Sequence, residues 1–174
     1  MISKQLIIVT ETNQKSQSDY MYINRFLEYF FLIDENVRIV PIFLNGKSNY
    51  DSRKIERKIE KLKKEFSYGD SFVVYCYDTD NYEIDARDRD FDQRINKYCD
   101  EKGYYLVHFS KDIEEVFLER SINNTSKTKE AIKFLRSRKI GSLDLSKFKS
   151  NNKRRYYSNL YLVFSQLLKP RIIH

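Results

Sequence analysis

Residues 72–80 read Phe72-Val73-Val74-Tyr75-Cys76-Tyr77-Asp78-Thr79-Asp80, a short apolar run that ends in two aspartates around a threonine. Its β-branched and aromatic side chains, unbroken by glycine or proline, describe a buried strand. Asp78 and Asp80 fall at the carboxyl end of that strand. A strand repeats every two residues, so both carboxylates share one side if the extended form continues through Asp80. Two carboxylates held together without cations raise each other's pKa. A hard divalent cation such as Mg²⁺ relieves that repulsion. The same letters also describe a solvated acidic turn, so the pair needs partners from elsewhere in the chain.

Working outward, Gln5–Thr10 (QLIIVT) is an earlier buried strand that runs directly into Glu11. A polar loop at 12–19 follows, with Ser16 or Ser18 available to cap a helix. Ile23, Phe26, Leu27, Phe30 and Phe31 then recur at helical spacing. Val37–Leu44 is the next strand, and Pro41 within it indicates an edge or a bulge. Asn45-Gly46 turns the chain into a helix with Ile55, Ile59, Leu62 and Phe66 on its inner face. After the Asp78/Asp80 strand come a polar loop at 81–90 and a helix near 91–101, stopped by Gly103. Tyr104–Phe109 forms a fourth strand, and Ser110 or Asp112 caps a short helix behind it. The remainder reads as a helix near 127–138, a basic connection through 139–155, and a last helix carrying Tyr157, Leu160, Tyr161, Phe164 and Leu168.

Strands alternating with helices predict a doubly wound α/β fold, a mainly parallel four-stranded sheet with helices on both faces. A core over 1–122 and a helical, basic C-terminal extension over 123–174 packed on it describe the domain plan. If the second strand lies outside the first and the third lies on its other side, strands one and three meet at the switch point. Ligands bind there in such sheets. That order brings Glu11 beside Asp78 and Asp80, three acids from distant positions.

Composition narrows the class. The chain has 174 residues, four glycines and two prolines, which argues against a turn-dense β fold. No stretch near the start has the pattern of a signal peptide, and the apolar cluster around 26–33 is too short to span a bilayer. Cys76 and Cys99 form no CxxC pair, and free buried thiols fit a reducing cytoplasm. With two histidines only, His108 and His174, a His-rich zinc site is ruled out and a histidine general base is not expected. The net charge is +7, but Lys127–Arg155 alone holds eleven Lys or Arg against Glu130 and Asp144, so the rest of the chain carries −2. A basic arm around an acidic site suits a phosphodiester partner.

These residues together resemble a Toprim domain, the metal-dependent fold of topoisomerases, bacterial primases and overcoming-lysogenization-defect nucleases. Such domains carry a glutamate after the first strand, matched by Glu11, and a DxD pair after the third, matched by Asp78 and Asp80. More narrowly the chain is similar to the small RloB-like Toprim family. Asp19-Tyr20 before the first helix, and Ser110 followed by Glu115 ahead of Val116-Phe117-Leu118, fit that pattern. It departs at Thr12, where a glycine is usual, and at Lys111-Asp112, where Asn-Pro is usual. The resemblance covers about residues 5–120.

What the resemblance implies is a nuclease using Mg²⁺ or Mn²⁺ on DNA or RNA. Asp78 and Asp80 would hold the metal, Glu11 would complete its shell or act as general acid or base, and Glu115 would be an outer ligand. Lys153, Arg154 and Arg155 would neutralise backbone phosphates. A role in bacterial phage defence or a restriction-linked system, a partner ATPase and a homodimer are compatible with that analogy. A catalytically degenerate Toprim-fold binding module is the alternative. Gly46-Lys47-Ser48 lacks the upstream glycine of a phosphate-binding loop and reads as a turn.

Overall fold

The computed structural model describes residues 3–172. Four strands, β1 (Ser3–Thr10), β2 (Val37–Phe43), β3 (Gly69–Asp78) and β4 (Tyr105–Phe109), form one sheet in the order β2-β1-β3-β4. Every pairing is parallel. Six helices surround the sheet: α1 (Ser18–Phe30), α2 (Arg53–Glu65), α3 (Ala86–Lys102), α4 (Ile113–Leu118), α5 (Lys127–Arg136) and α6 (Leu160–Leu167). The protein is therefore an all-parallel, doubly wound α/β fold. No helix among the described residues is long and apolar enough to cross a membrane.

The two-residue strand period divides the core into two layers. Leu6, Ile8, Val74, Cys76, Val107 and Phe109 face one side, where α1, α4, α5 and α6 pack with Phe26, Phe117, Phe134 and Phe164, joined by Phe148 from the segment between α5 and α6. Ile7, Val9, Val73, Tyr75 and Tyr77 face the other, against Ile55 and Ile59 of α2 and Phe91, Ile95 and Cys99 of α3. Strands buried on both faces must be apolar at almost every position, which explains their unbroken hydrophobic runs. Residues after 123 supply Phe134, Phe148 and Phe164 to the same layer as α1, so the C-terminal segment shares the core of the sheet. Cys76 and Cys99 are free and buried.

The two sheet edges are treated differently. Beside β4, Ser158 forms an antiparallel bridge with Phe109, and the Asn159 side chain accepts from the His108 N–H and donates to the Leu106 carbonyl. That edge is covered. β2 is the open edge and carries Pro41, as its proline predicts.

Several boundaries differ from the sequence reading. α3 begins at Ala86, capped by Asp85, because Arg87–Asp90 extend the helix as a polar face before its first buried residue, Phe91. Gln17, in a left-handed conformation without a side-chain cap, precedes α1, and neither Ser16 nor Ser18 caps it. Tyr157 lies outside α6, in the segment that covers β4. Asp112 is the cap of α4, with its carboxylate accepting from the Glu115 N–H at 2.8 Å.

Gly69 opens β3 opposite Ser3, where an added Cβ would lie 1.7 Å from the Ser3 carbonyl oxygen. Gly69→Ala must push the starts of β1 and β3 apart. A loss of about 1–3 kcal/mol is expected, the range for overpacking a close-packed site. It should appear as a lowered urea midpoint with an unchanged m-value.

Candidate active site

The register places the acids. Thr10 pairs with Cys76, so Glu11 follows one residue beyond that row and Asp78 two. The Glu11 Oε1 accepts from the backbone N–H of Asp78 at 2.9 Å, which joins the ends of the two central strands. Asp78 Oδ1 in turn accepts from the backbone N–H of Ile113 at 3.0 Å, at the start of α4. Asp19, in the first turn of α1, and Glu114, on α4, are both buried. Four carboxylates from β1, α1, β3 and α4 thus gather at the carboxyl ends of the strands, where β1 and β3 meet.

Their electrostatics show how crowded the group is. Burial, opposed by the Asp78 N–H and reinforced by Asp19 and Asp80, pushes the Glu11 carboxyl up to about 8. Burial and then Glu114 push Asp19 up to about 7, with Lys127 opposing. Asp78 is raised well above the carboxylate range by burial and by Asp19, Glu11 and Glu114. Glu114 is raised by burial despite Lys127, whose Nζ lies 2.8 Å from Glu114 Oε2. That contact lacks hydrogen-bond alignment, and Glu114 Oε1 has no partner at all. Lys127 is the cation this group shares.

Asp80 departs from the expected same-side geometry. β3 ends at Asp78, and Asp80 takes a left-handed φ of 49°. The turn is held by Thr79 N–H to the Phe109 carbonyl at 2.9 Å and Asp80 N–H to the Lys111 carbonyl at 2.8 Å. The extended conformation that would align the two aspartates therefore stops two residues short of Asp80. Asp80 instead pairs with Lys47, which also donates to Asp88 at 3.2 Å. Burial lowers the Lys47 pKa, and these two aspartates more than restore it. Asp80 stays near enough to Glu11 to raise its pKa.

The C-terminal cations reach the same end of the sheet. Lys153 and Arg155 line a cavity of about 160 Å³ with Asp80, Tyr82 and Lys111. Lys153 is paired with Asp92, and Arg155 with Glu115, 2.6 Å from Nε to Oε2. Lys111 and Ser121 also hold Glu115. Burial alone would raise Glu115, but Arg155, Ser121 and Lys111 draw it down to about 2. Glu115 is thus committed to the tail, and its neighbour Glu114 is the one that acts on Asp78 and Asp19. Arg154 is exposed.

The sequence reading missed Glu114, Lys47 and Lys127 and gave Asp19 no role of its own. Glu114 and Glu115 are both fully buried on α4, so no local pattern separates them. Lys47 and Lys127 have no local signal, because only the tertiary fold brings them to the acids. His108 is buried in β4 and pushed down to about 4 by that burial, so it is a neutral core residue.

All the gathered donors are hard carboxylate oxygens in excess of the nearby ammonium groups, and Glu114 Oε1 is unpartnered, which fits a hard divalent cation. Among the described residues, no three His, Cys, Asp or Glu side chains are already set around one metal position. Each acid is tied separately, Glu11 to the Asp78 N–H, Asp78 to the Ile113 N–H, and Asp80 to Lys47. No family model, curated protein or solved structure matches this chain.

Proposed function

We propose that the protein is a metal-dependent nuclease of Toprim type, similar to the RloB-like family, which hydrolyses nucleic-acid phosphodiester bonds with Mg²⁺ or Mn²⁺. The observation that carries this reading is the meeting of Glu11 and Asp78 at the β1–β3 switch point, with Asp19 and Glu114 behind them. Asp78 and Asp80 would hold the ion, with Glu11 next to them. A bound divalent ion supplies positive charge that polarises a phosphoryl oxygen and lowers the pKa of water. Glu11, with a carboxyl near 8, holds a proton at neutral pH and is placed to give or take one at the reacting oxygens. Lys47 keeps positive charge beside Asp80, where phosphate charge would develop, and Lys127 keeps it beside Glu114.

One observation favours a second reading, a catalytically degenerate nucleic-acid-binding module. The Lys47 ammonium sits on the Asp80 carboxylate, which would otherwise face a metal. The two readings separate in one assay. Wild type and Glu11→Gln are incubated with plasmid, single-stranded DNA and tRNA, with Mg²⁺, Mn²⁺ or EDTA. Cleavage that needs the metal and drops at least tenfold in Glu11→Gln is expected, the scale of a lost acid–base group being about 10²–10⁴. Intact substrates in every lane, with binding unchanged by EDTA, would move the assignment to the binding module.

A further inference from the structure

Two of the three tail cations that the sequence marks for phosphate contact, Lys153 and Arg155, are engaged by carboxylates within the chain. Uncompensated positive charge is concentrated at the opposite edge of the sheet. α2 carries seven Lys or Arg against Glu56, Glu60 and Glu65, and its apolar residues Ile55 and Ile59 are turned inward. Between that helix and the open edge of β2 runs a groove of about 1020 Å³. Lys54, Lys58 and Lys61 of α2, β2 from Val40 to Phe43, and Lys15 of the loop after β1 line it.

We propose that this groove holds the phosphodiester backbone of a single nucleic-acid strand and leads it to Glu11. Lys15, Lys54 and Lys58 make no ion pair among the described residues, and Lys61 touches only Glu65, at 3.7 Å with its side chain 75% exposed. The spacing i, i+4, i+7 sets the three helix lysines on one face across about 10 Å. The three ammonium groups therefore form a row along which successive backbone phosphates of one strand can lie. Asn13 and Asn45, close in sequence to Glu11 and Lys47 of the acidic site, also line the groove. There the Gly46 N–H donates to the Glu11 carbonyl at 2.9 Å and the Asn45 N–H to the Thr12 carbonyl at 3.3 Å.

An added strand from a second copy is the competing occupant of an open edge. The Leu44 N–H points inward to the Thr10 carbonyl, so strand alternation turns position 41 outward. That position is proline, which removes a donor from the middle of the open edge. A second copy would also bring its own lysine row against this one. A polyanion meets neither obstacle.

The inference takes its functional meaning from the nuclease reading, but its test is binding without cleavage. Anisotropy of a short fluorescent single-stranded oligonucleotide is measured in EDTA across a salt series. With about four phosphates neutralised, log K should fall with log salt at a slope of about −3. In Lys54→Gln/Lys58→Gln/Lys61→Gln the slope should flatten to about −1, with affinity down about a hundredfold at 0.1 M salt. Arg57→Gln/Lys64→Gln/Lys97→Gln removes the same charge away from the groove and should bind nearly as wild type does. Melting curves of both variants check that each is folded. The proposal is overturned if wild type does not bind, if both triple variants lose affinity equally, or if the groove variant binds as tightly as wild type. It is also overturned if wild type is a dimer that the groove variant turns into monomers. Groove-dependent binding without any cleavage in Mg²⁺ would keep this inference and sink the nuclease.

Discussion

Asp78→Asn is expected to abolish cleavage and at the same time make the metal-free protein more stable at pH 8. Both effects come from one crowded carboxylate. Asn keeps an oxygen to accept from the Ile113 N–H but removes the charge that Glu11, Asp19 and Glu114 surround. Glu11, Asp19 and Asp78 have folded pKa values above their unfolded ones, so the folded state holds protons that the unfolded chain has released. Stability from such groups is complete below the ordinary carboxylate range and falls as pH rises toward 7–8. The slope is about 1.4 kcal/mol per pH unit for each proton held.

Wild type without metal should therefore lose melting temperature between pH 5 and 8, and Asp78→Asn should lose less. Mg²⁺ should restore wild type, by about 2.7 kcal/mol at a hundred times its dissociation constant, and leave the variant unmoved. Cleavage should fall by more than the 10- to 100-fold typical of losing a group that merely supports a metal ligand. A variant that cuts normally, or melts below wild type in EDTA at pH 8, would show that Asp78 is an ordinary structural acid.

The fold was legible because hydrophobic period and burial coincide. Strands such as Phe72–Tyr77 are apolar on both faces, the helices carry apolar stripes, and Gly103 stops α3 as its C-cap. The strand order followed from one assumption about crossovers, and it brought Glu11 to Asp78 as expected. What failed to show were properties of single residues in three dimensions. The left-handed turn at Asp80 depends on backbone bonds to Phe109 and Lys111, about thirty residues later, and no pattern near Asp80 names those partners. The choice between Glu114 and Glu115 hinges on which way a six-residue helix is rolled. The pairing of Arg155 with Glu115 spans forty residues and takes a tail cation out of use. Charge counting sees a basic segment and not which of its charges are already neutralised.

Lys127 offers the sharpest test of the acid group as a physical unit. The lysine is partly shielded, its Nζ lies 2.8 Å from Glu114 and 3.9 Å from Asp112, and Asp78 and Glu114 raise its pKa. Lys127→Ala strips the cation that Asp19, Asp78 and Glu114 share. Breaking a buried pair by removing one partner costs about 3–5 kcal/mol, because the stranded charge has no solvent to turn to. Here the stranded acids can take up protons, so the loss should be near that full value at pH 8 and much smaller at pH 5. Adding Glu114→Gln should recover part of it, a coupling of about 0.5–3 kcal/mol in a double-mutant cycle. Denaturant melts at both pH values measure all four corners. Additive effects, or a loss that does not change with pH, would mean that Lys127 acts through the packing of α5 and that the carboxylates do not titrate as one cluster.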